Sequence, residues 1–176
     1  MRSELQPNLQ NDLIRLRPLE ADDYQSLYEV AKDPLIWEQH PVKRYKPAVF
    51  EQFFRESIDS QGALIVIDQK SNAVIGSSRF RRLDYLDSAV EIGWTFLARK
   101  CWGGLYNKSL KSLMINHALA NFDEVIFYIA ECNIRSSKAI EKIGVIEVYD
   151  ERYRSPTPNN DRAYRISRAE WERVNK

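Results

Sequence analysis

Three strand-like runs, at residues 63–68, 73–80 and 89–97, follow one another closely and constrain the fold of this chain more than any other feature. Each run is apolar or alternates between apolar and polar residues, and the connections at 69–72 and 84–88 are short and polar. A parallel pair of strands needs a crossover of a dozen or more residues, whereas antiparallel strands can be joined by a short turn. The pattern therefore predicts an antiparallel meander.

Helical periodicity appears on both sides of the meander. It is strongest at residues 105–122, where four apolar side chains form one stripe: Leu110, Leu113, Met114 and Ala118. The pattern predicts further helices at 20–32, from about 48, and at 133–143, and further strands at 13–17, 124–131, 145–152 and 162–167. The order β-α-α-β-β-β-α-β-α-β-β predicts one α+β domain with a mixed, mostly antiparallel sheet and helices on its faces.

Length and charge exclude several classes of protein. The chain has 176 residues, which fits one domain, and its 26 Lys and Arg residues nearly balance 25 Asp and Glu residues. This balance argues against a nucleic-acid-binding protein and against a polybasic membrane anchor. No apolar run approaches the roughly 20 residues of a membrane-spanning helix. Residues 1–10 are polar, lack the apolar core of a secretory signal and are expected to be loose, which leaves residues 11–176 as the folded domain.

Cysteine and histidine are scarce. Cys101 and Cys132 cannot form a disulfide framework, and no C-x-x-C pair indicates zinc. His40 and His117 are far apart and lack metal-binding spacing, so no metal site is expected. These features predict a reducing, cytoplasmic setting. The sequence does not fix the oligomeric state, and a homodimer stays open because dimers are the commonest homo-oligomers.

A basic, glycine-containing segment at residues 99–108 lies between a predicted strand and the most periodic helix. Gly103 and Gly104 permit unusual backbone angles and close approach, so several N–H groups could point at a phosphate there. Three basic side chains of the segment add positive charge: Arg99, Lys100 and Lys108. The segment lacks the P-loop and dinucleotide-binding signatures. An ordinary strand-to-helix loop with solvated lysines is the alternative.

A second segment begins at Asn133 and continues as a predicted helix to Gly144, a residue type typical of helix C-termini. In isolation, Asn133 is interpreted as a helix cap and Ser136 as a first-turn residue. Three features, however, follow one another in the sequence: the strand at 91–97, the loop at 102–107 and the pattern Asn133-x-x-Ser136. In this order they resemble the GNAT superfamily of acetyl-CoA-dependent N-acetyltransferases. The resemblance runs from residue 13 to about residue 174. It is closest to the branch that acetylates the N-termini of ribosomal proteins.

The resemblance implies acetyl-CoA as cosubstrate and a primary amine as acceptor, either a protein N-terminal α-amine or a small amine. It also implies that the strands at 89–97 and 124–131, the fourth and fifth by prediction, splay apart to admit acetyl-CoA. The superfamily's phosphate loop, [Q/R]-x-x-G-x-[G/A], falls on residues 102–107, although all three signature positions hold other residues here. The implied contacts to acetyl-CoA are Phe96, Leu97, Trp102, Gly103, Gly104, Leu105, Tyr106, Asn107, Lys108 and Asn133.

The implied reaction is direct attack of a neutral amine on the thioester, so a base must remove a proton from the ammonium form. Glu91 is the base candidate, because on a regular strand it shares one face with Gly93 and Thr95, and Gly93 leaves room for a ligand. A β-bulge, usual in this strand of the superfamily, would alter that parity. A solvent-facing structural glutamate is the alternative. His40, in the loop at 37–41, is the second base candidate.

The leaving thiolate needs a hydrogen-bond donor. Many branches of the superfamily place a tyrosine seven residues after the asparagine, where this chain has Ile140. Ser136 is the remaining hydroxyl and is predicted to stabilise the thiolate while capping its helix; a cap-only role is the alternative. The acceptor site is expected around residues 37–40, 50–54 and Tyr85. A non-catalytic acyl-CoA sensor or partner-binding module on the same fold stays open as a second function.

Overall fold

Residues 4–156 and 161–174 are described in a computed structural model, and they form one sheet with helices on both sides. Within these ranges the strands are β1 Leu9–Gln10, β2 Ile14–Pro18, β3 Ala63–Asp68, β4 Val74–Arg82, β5 Ala89–Leu97, β6 Glu124–Ala130, β7 Ile146–Val148 and β8 Asp161–Ser167. The helices are α1 Tyr24–Ala31, α2 Pro47–Asp59, α3 Leu105–Asn121, α4 Ile134–Glu141 and α5 Arg168–Val174.

The order of the strands across the sheet is β1-β2-β3-β4-β5-β6-β8-β7. Neighbouring strands are antiparallel except β5 and β6, which run parallel because the chain crosses between them through α3. The consecutive neighbours β3, β4 and β5 confirm the predicted meander. The predicted α+β class, with a mixed and mostly antiparallel sheet, is also confirmed.

Two hydrophobic cores hold the helices on opposite faces of the sheet. On the first face, α3 buries Leu110, Met114 and Ala118 against strand residues that include Val90 and Ile92. We call this side the α3 face. On the other side, which we call the α1/α2 face, five rings from the two helices pack together: Tyr24, Tyr28, Phe50, Phe53 and Phe54. The 3.6-residue period places each apolar set on one side of its helix.

Both ends of the chain join the fold more fully than the sequence indicated. Within the segment expected to be loose, β1 pairs with β2, because Asn11 Oδ1 accepts hydrogen bonds from the N–H groups of Leu13 and Ile14 and turns the chain back. Residues 1–3 lie outside the described residues. At the other end, α5 directly follows β8, and Trp171 packs into the core of the α3 face. Each of these elements has too few apolar residues to show a period.

The strand predicted at 145–152 is shorter in the structure, where β7 covers only Ile146–Val148. Asp150 Oδ1 then accepts a hydrogen bond from the Arg152 N–H and begins a 3-10 turn. Residues 157–160, between this 3-10 turn and β8, lie outside the described residues. Gly144 has a φ of +86°, which fits its predicted place after the helix. No helix within residues 4–156 and 161–174 is long and apolar enough to cross a membrane.

Candidate active site

The parallel strands β5 and β6 separate into a V-shaped cleft. Only three residue pairs join them: Ala89 with Glu124, Val90 with Val125, and Glu91 with Ile126. Beyond Glu91, β5 continues to Leu97 and β6 to Ala130 without pairing with each other. The facing backbone edges are therefore available to an extended ligand, as sheet edges are in β-augmentation. This geometry confirms the predicted splay.

A β-bulge divides β5 into two halves. Opposite β4, the register carries one extra residue in β5 between Gly93 and Phe96. Trp94, within this stretch, has a φ of +52°, in the left-handed region that residues other than glycine seldom adopt. A bulge bends its strand and changes which side chains share a face.

The bulge corrects one expectation about β5. Glu91 and Gly93 share a face, since a Cβ on Gly93 would lie 2.8 Å from Glu91 Oε1. Thr95 instead points to the α3 face, where Lys111 Nζ donates a hydrogen bond to its Oγ1 at 2.8 Å. Thr95 would share the face of Glu91 and Gly93 only on a regular strand; the bulge that the family resemblance implies for this strand is present, and it reverses the parity at Thr95.

Glu91 lies at the closed end of the cleft and is only 4% exposed. Arg81, opposite it on β4, donates to Glu91 Oε2 from Nε at 2.7 Å and from Nη2 at 2.5 Å. In the described part of the chain Oε1 has no hydrogen-bond donor, and it faces the space above Gly93. Burial raises the pKa of Glu91 to about 7, although the Arg81 charge favours the ionised form. One carboxylate oxygen is thus held and the other is free to accept a proton.

The loop from β5 to α3 leaves the start of the helix open. Gly103 has a φ of +67°, and a Cβ on it would meet nothing within 4 Å. Gly104 precedes the first turn, and no side chain hydrogen-bonds there as a cap. Leu105 is 69% exposed, Asn107 is half-buried and Lys108 is exposed. The first-turn N–H groups and the helix dipole make this a suitable site for a diphosphate.

Other predicted cofactor residues have side chains bound within the protein. Trp102 Nε1 donates to the Leu97 carbonyl at 2.9 Å, and the Tyr106 hydroxyl donates to Asp68 Oδ1 at 2.8 Å. The Phe96 side chain is buried in the core of the α1/α2 face, and the Leu97 side chain in that of the α3 face. These four residues can therefore offer a ligand their backbone more readily than their side chains.

The two sides of the cleft meet at its mouth. The guanidinium of Arg135, in α4, stands 3.9 Å from the ring centre of Trp102, across the cleft. The Arg135 N–H also donates to Gln39 Oε1 at 3.0 Å, and the Cys132 thiol lies 3.5 Å from the Gln39 carbonyl. The loop expected to border the acceptor thus contacts the start of α4.

Asn133 caps α4, because its Oδ1 accepts a hydrogen bond from the Ser136 N–H at 3.3 Å. This corrects the expectation that Ser136 itself caps the helix. The Ser136 hydroxyl has no hydrogen-bond partner among the described residues, and the residue is half-buried. Ile140, where other branches have tyrosine, is buried in the core of the α3 face. Asn133 Nδ2 and Ser136 Oγ are therefore the groups of α4 that remain for a ligand.

His40 is engaged through both ring nitrogens. Its Nδ1 lies 2.9 Å from the Val42 nitrogen and 3.0 Å from the Val42 oxygen, and its Nε2 lies 3.3 Å from Arg44 Nη1. Burial and the Arg44 charge lower the pKa of His40 to about 4, so the ring is neutral at pH 7. No contact joins His40 to Glu91 among the described residues. The arrangement favours Glu91 as the base, because neither nitrogen of His40 is free.

The expected acceptor segments are only partly on a surface. Phe50, Phe53 and Phe54 are all buried in the aromatic cluster of the α1/α2 face, and the Phe53 ring also lies 4.6 Å from the guanidinium of Arg44. Tyr85 is exposed, and its hydroxyl shares a hydrogen bond of 2.7 Å with that of Tyr128 on β6.

The arginines of the α1/α2 face were not among the site residues predicted from the sequence. Arg79 and Arg81 of β4 are paired in register with Gly93 and Glu91 of β5, so all four share that face. Arg44 approaches the same region from the loop before α2. The signal was present in the alternation of arginine with apolar residues in a central strand. Within residues 4–156 and 161–174, no group of three His, Cys, Asp or Glu residues could hold a metal ion.

Comparison with solved structures gives the same fold. A GCN5-related N-acetyltransferase from Brucella melitensis has a TM-score of 0.81 at 18% identity, over 96% of this chain and 82% of that one. A spermidine N-acetyltransferase from Vibrio cholerae, solved with CoA and spermine, has a TM-score of 0.69 at 16% identity, over 92% and 99%. A ribosomal-protein-serine acetyltransferase-like protein from Vibrio cholerae has a TM-score of 0.76 at 12% identity, over 92% and 97%.

The sequence itself matches a family model. The model of the acetyltransferase (GNAT) domain matches residues 14–146, which include the cleft, the bulge and the open start of α3. Among curated proteins, no sequence matches significantly. The family match covers most of the chain, and it agrees with the splayed strands. The chain therefore belongs to the GNAT acetyltransferase family and is an N-acetyltransferase that uses acetyl-CoA as its cosubstrate.

Proposed function

We propose that this enzyme acetylates a primary amine by direct attack of the amine on the thioester, with Glu91 as the general base. The acceptor is a protein N-terminal α-amine or a small amine. The proposal is carried by one observation: a buried carboxylate with one free oxygen lies at the closed end of the cleft. A carboxylate in that place can reach an amine directed at the end of an extended thioester arm.

The cleft fits acetyl-CoA, which supplies the activated acetyl group. The two glycines of the β5–α3 loop leave space for the diphosphate, and the first-turn N–H groups of α3 donate to it, with Lys108 adding charge. The backbone of β5 at Phe96 and Leu97, which is not paired with β6, hydrogen-bonds the pantetheine amides through groups other than the Leu97 carbonyl, which accepts from Trp102 Nε1. Asn133 Nδ2, which the helix cap does not use, donates to the same arm.

Glu91 completes the proton transfer. An alkyl amine is protonated at pH 7, so it becomes a nucleophile only when a base removes a proton. Glu91 Oε1 takes that proton, the amine nitrogen bonds to the carbonyl carbon, and the carbon–sulfur bond breaks. A pKa of about 7 suits a base that works near neutral pH. Arg81 fixes the orientation of the carboxylate, and β5 N–H groups that face the cleft donate to the carbonyl oxygen as it gains charge.

Ser136 is proposed to stabilise the departing thiolate. Its hydroxyl is free of partners among the described residues, and it lies in the first turn of α4, beside the Asn133 cap. A hydroxyl can donate a hydrogen bond to the thiolate, whereas the buried Ile140 side chain cannot. His40 is retained only as the second base candidate.

Acceptor class and location rest on indirect support. The Vibrio cholerae neighbour is named for spermidine, which carries primary amines, and this supports a primary-amine acceptor. A reducing, cytoplasmic location is proposed because Cys101 and Cys132 are both free thiols.

The test combines acetyl-CoA binding with thiol release. Acetyl-CoA at 100 times its dissociation constant adds about 2.7 kcal/mol of stability. That should raise the melting temperature by roughly 5–10 °C. Thiol release should appear when a panel of primary amines is added. Gly103→Val should weaken the thermal shift without unfolding the protein, because its φ of +67° disfavours a β-branched residue. Binding without thiol release from any amine would overturn the proposed transfer and favour a CoA sensor.

A further inference from the structure

We propose that Arg44 and Arg79 select an acceptor that carries a carboxylate close to its primary amine. This inference rests on the proposed function, because it names the acceptor class of the same site. It is drawn from an excess of buried positive charge next to Glu91, on the face of the sheet where the acceptor must approach.

Guanidinium groups and aromatic rings alternate along the α1/α2 face, starting from Glu91. Arg81 pairs with Glu91 and lies 5.0 Å from the ring centre of Trp94. Arg79 lies 4.5 Å from the same ring. The series continues through the Phe53 ring, because Arg79 is 5.7 Å and Arg44 is 4.6 Å from its centre. Arg44 is also 5.3 Å from the ring centre of Trp37. We call this series of arginines and aromatic rings the ladder. It extends from Glu91 to the loop that is expected to border the acceptor.

The charges of this ladder do not balance. Only Arg81 has a carboxylate partner, since within the described ranges no carboxylate oxygen lies within 4.0 Å of a guanidinium nitrogen of Arg44 or Arg79. Glu56, exposed on α2, acts on both arginines, and Glu91 acts on Arg79, but each only from a greater distance. Burial is the main cause that lowers the pKa of Arg44 and of Arg79 to about 10, and both stay charged at pH 7.

Arg79 shows the imbalance most clearly. The residue is 6% exposed, and one of its side-chain nitrogens, Nε, is buried without a hydrogen-bond partner. Its Nη2 donates to the Ser57 hydroxyl, a neutral acceptor. Burying a charge without a counter-charge costs free energy, and ring stacking recovers only part of that cost. An anionic ligand therefore stabilises such a site more than a neutral ligand does.

A carboxylate is the anion that fits. The half-buried Arg44 lies nearer to solvent than Arg79, and its fork of N–H donors matches a carboxylate in geometry. The nearby Lys43 ammonium donates to the backbone carbonyls of Trp37, Glu38 and His40. Because these acceptors are neutral, Lys43 adds further positive charge to this face. A polyamine, with several ammonium groups, would be repelled here. The expected acceptor is an amino acid, or a peptide N-terminus followed by an acidic residue.

The test compares acceptors in matched pairs that exchange one carboxylate for an amide, with kcat/KM calculated from the concentration of the neutral amine because the two amines differ in pKa. Glycine is compared with glycinamide, and the peptide amide Gly-Asp-Gly with Gly-Asn-Gly, so that an α-carboxylate and a side-chain carboxylate are assayed separately. Spermidine serves as the cationic acceptor. In at least one pair the carboxylate member should have a kcat/KM about 10- to 100-fold higher, the effect of one charge-assisted hydrogen bond. Most of the difference should lie in KM, because the arginines bind the acceptor and do not touch the reacting atoms.

Variants of the two arginines test whether they cause the preference for a carboxylate. Arg44→Gln should remove most of it, and Arg44→Lys should restore part of it, because the charge returns without the fork. Arg55→Gln is the matched control, since Arg55 is an exposed arginine of α2 paired with Glu51. Arg79→Gln should act like Arg44→Gln, and its melting temperature is measured in parallel because the residue is buried.

A second readout does not require turnover. With CoA present, the carboxylate member of the favoured pair should raise the melting temperature of the wild type, and should not raise that of Arg44→Gln. Thermal protection without any transfer would overturn the proposed function and leave the acceptor inference standing. Transfer with equal kcat/KM within both pairs, or a preference that survives in Arg44→Gln, would overturn the inference and leave the proposed function standing.

Discussion

The two faces of β5 hold buried positive charge in different ways. On the α1/α2 face, Arg81 is paired with Glu91, and Arg79 stacks on aromatic rings. On the α3 face, Lys111 is 5% exposed and donates to the Thr95 hydroxyl; among the described residues no carboxylate lies within 4.0 Å of its Nζ. Burial lowers the pKa of Arg79 only to about 10 but that of Lys111 to about 7.

The chemistry of the two cations explains the difference. A guanidinium is delocalised and weakly hydrated and can stack on rings, so it keeps its charge when buried. An ammonium is compact and strongly hydrated, so burial favours its neutral form. The bulge at Trp94 makes the separation possible, because it sends Thr95 to one face while Glu91 stays on the other. One strand thus has a charged face, on which the proposed base lies, and a neutral face, on which burial favours the uncharged form of Lys111.

The largest expected effect tests the charged face. Glu91→Gln should lower turnover by about 10²–10⁴-fold, because positioned base catalysis contributes that much. Acetyl-CoA affinity should change little, since Glu91 is not assigned to the cosubstrate. Steady-state kinetics with a saturating amine and a parallel thermal shift with acetyl-CoA measure the two quantities.

The pH profile sharpens this prediction. Only the deprotonated carboxylate can act as a base, so wild-type kcat/KM should rise with pH through about 7, the raised pKa of Glu91. Glu91→Gln should lack this limb, and its deficit should shrink as pH approaches the pKa of the amine. Glu124→Gln is the control, because Glu124 is also a strand glutamate paired with an arginine, but lies in the first of the three paired positions of β5 and β6, away from the cleft. Equal losses in the two variants would make Glu91 a structural residue.

The next effect tests the space beside the base. Gly93→Ala places a methyl group 2.8 Å from the present position of Glu91 Oε1, so the carboxylate must move. A displacement of this kind should lower turnover by about 10–10²-fold. Because both changes act through one carboxylate, the double variant Gly93→Ala, Glu91→Gln should be no slower than Glu91→Gln alone. Additive losses would show that Gly93 acts independently of Glu91.

The third effect tests the neutral face. The folded pKa of Lys111 is about 7, below its usual 10.5, so the neutral form stabilises the fold above pH 10.5 and this stability is lost as pH falls toward 7. Lys111→Met should therefore be more stable than the wild type at pH 7 by roughly 1–4 kcal/mol. The gain should shrink by up to about 1.4 kcal/mol per pH unit between 7 and 10. Denaturant unfolding at several pH values measures it.

Two outcomes would contradict the difference between the two faces of β5. Parallel pH dependences for Lys111→Met and the wild type would mean that Lys111 keeps its charge when buried. A loss of turnover in Lys111→Met as deep as that in Glu91→Gln would mean that the α3 face also takes part in the reaction.

The same strand shows what sequence could and could not predict. Local patterns predicted the meander and the helix at 105–122, because periodicity is a property of adjacent residues, whereas the role of Glu91 stays a prediction. The face of Thr95 did not follow from the alternation of a regular strand, because the bulge depends on the register between β4 and β5, and only the family resemblance indicated it. Arg44 was missed because it lies 35 positions before Arg79 in the chain and meets the same Phe53 ring only after folding.

The smallest expected effect tests the hydrogen bonds beneath the bulge. Thr95 Oγ1 is 2.8 Å from Lys111 Nζ and 2.7 Å from Ser78 Oγ. Thr95→Val should therefore lower the free energy of unfolding by about 1–3 kcal/mol, the net worth of two hydrogen bonds, with turnover per folded molecule retained. In the Lys111→Met background the same change should cost less, because only the Ser78 partner is then lost. An equal cost in both backgrounds would mean that Thr95 does not hold the lysine, and that burial alone governs the cation on this face.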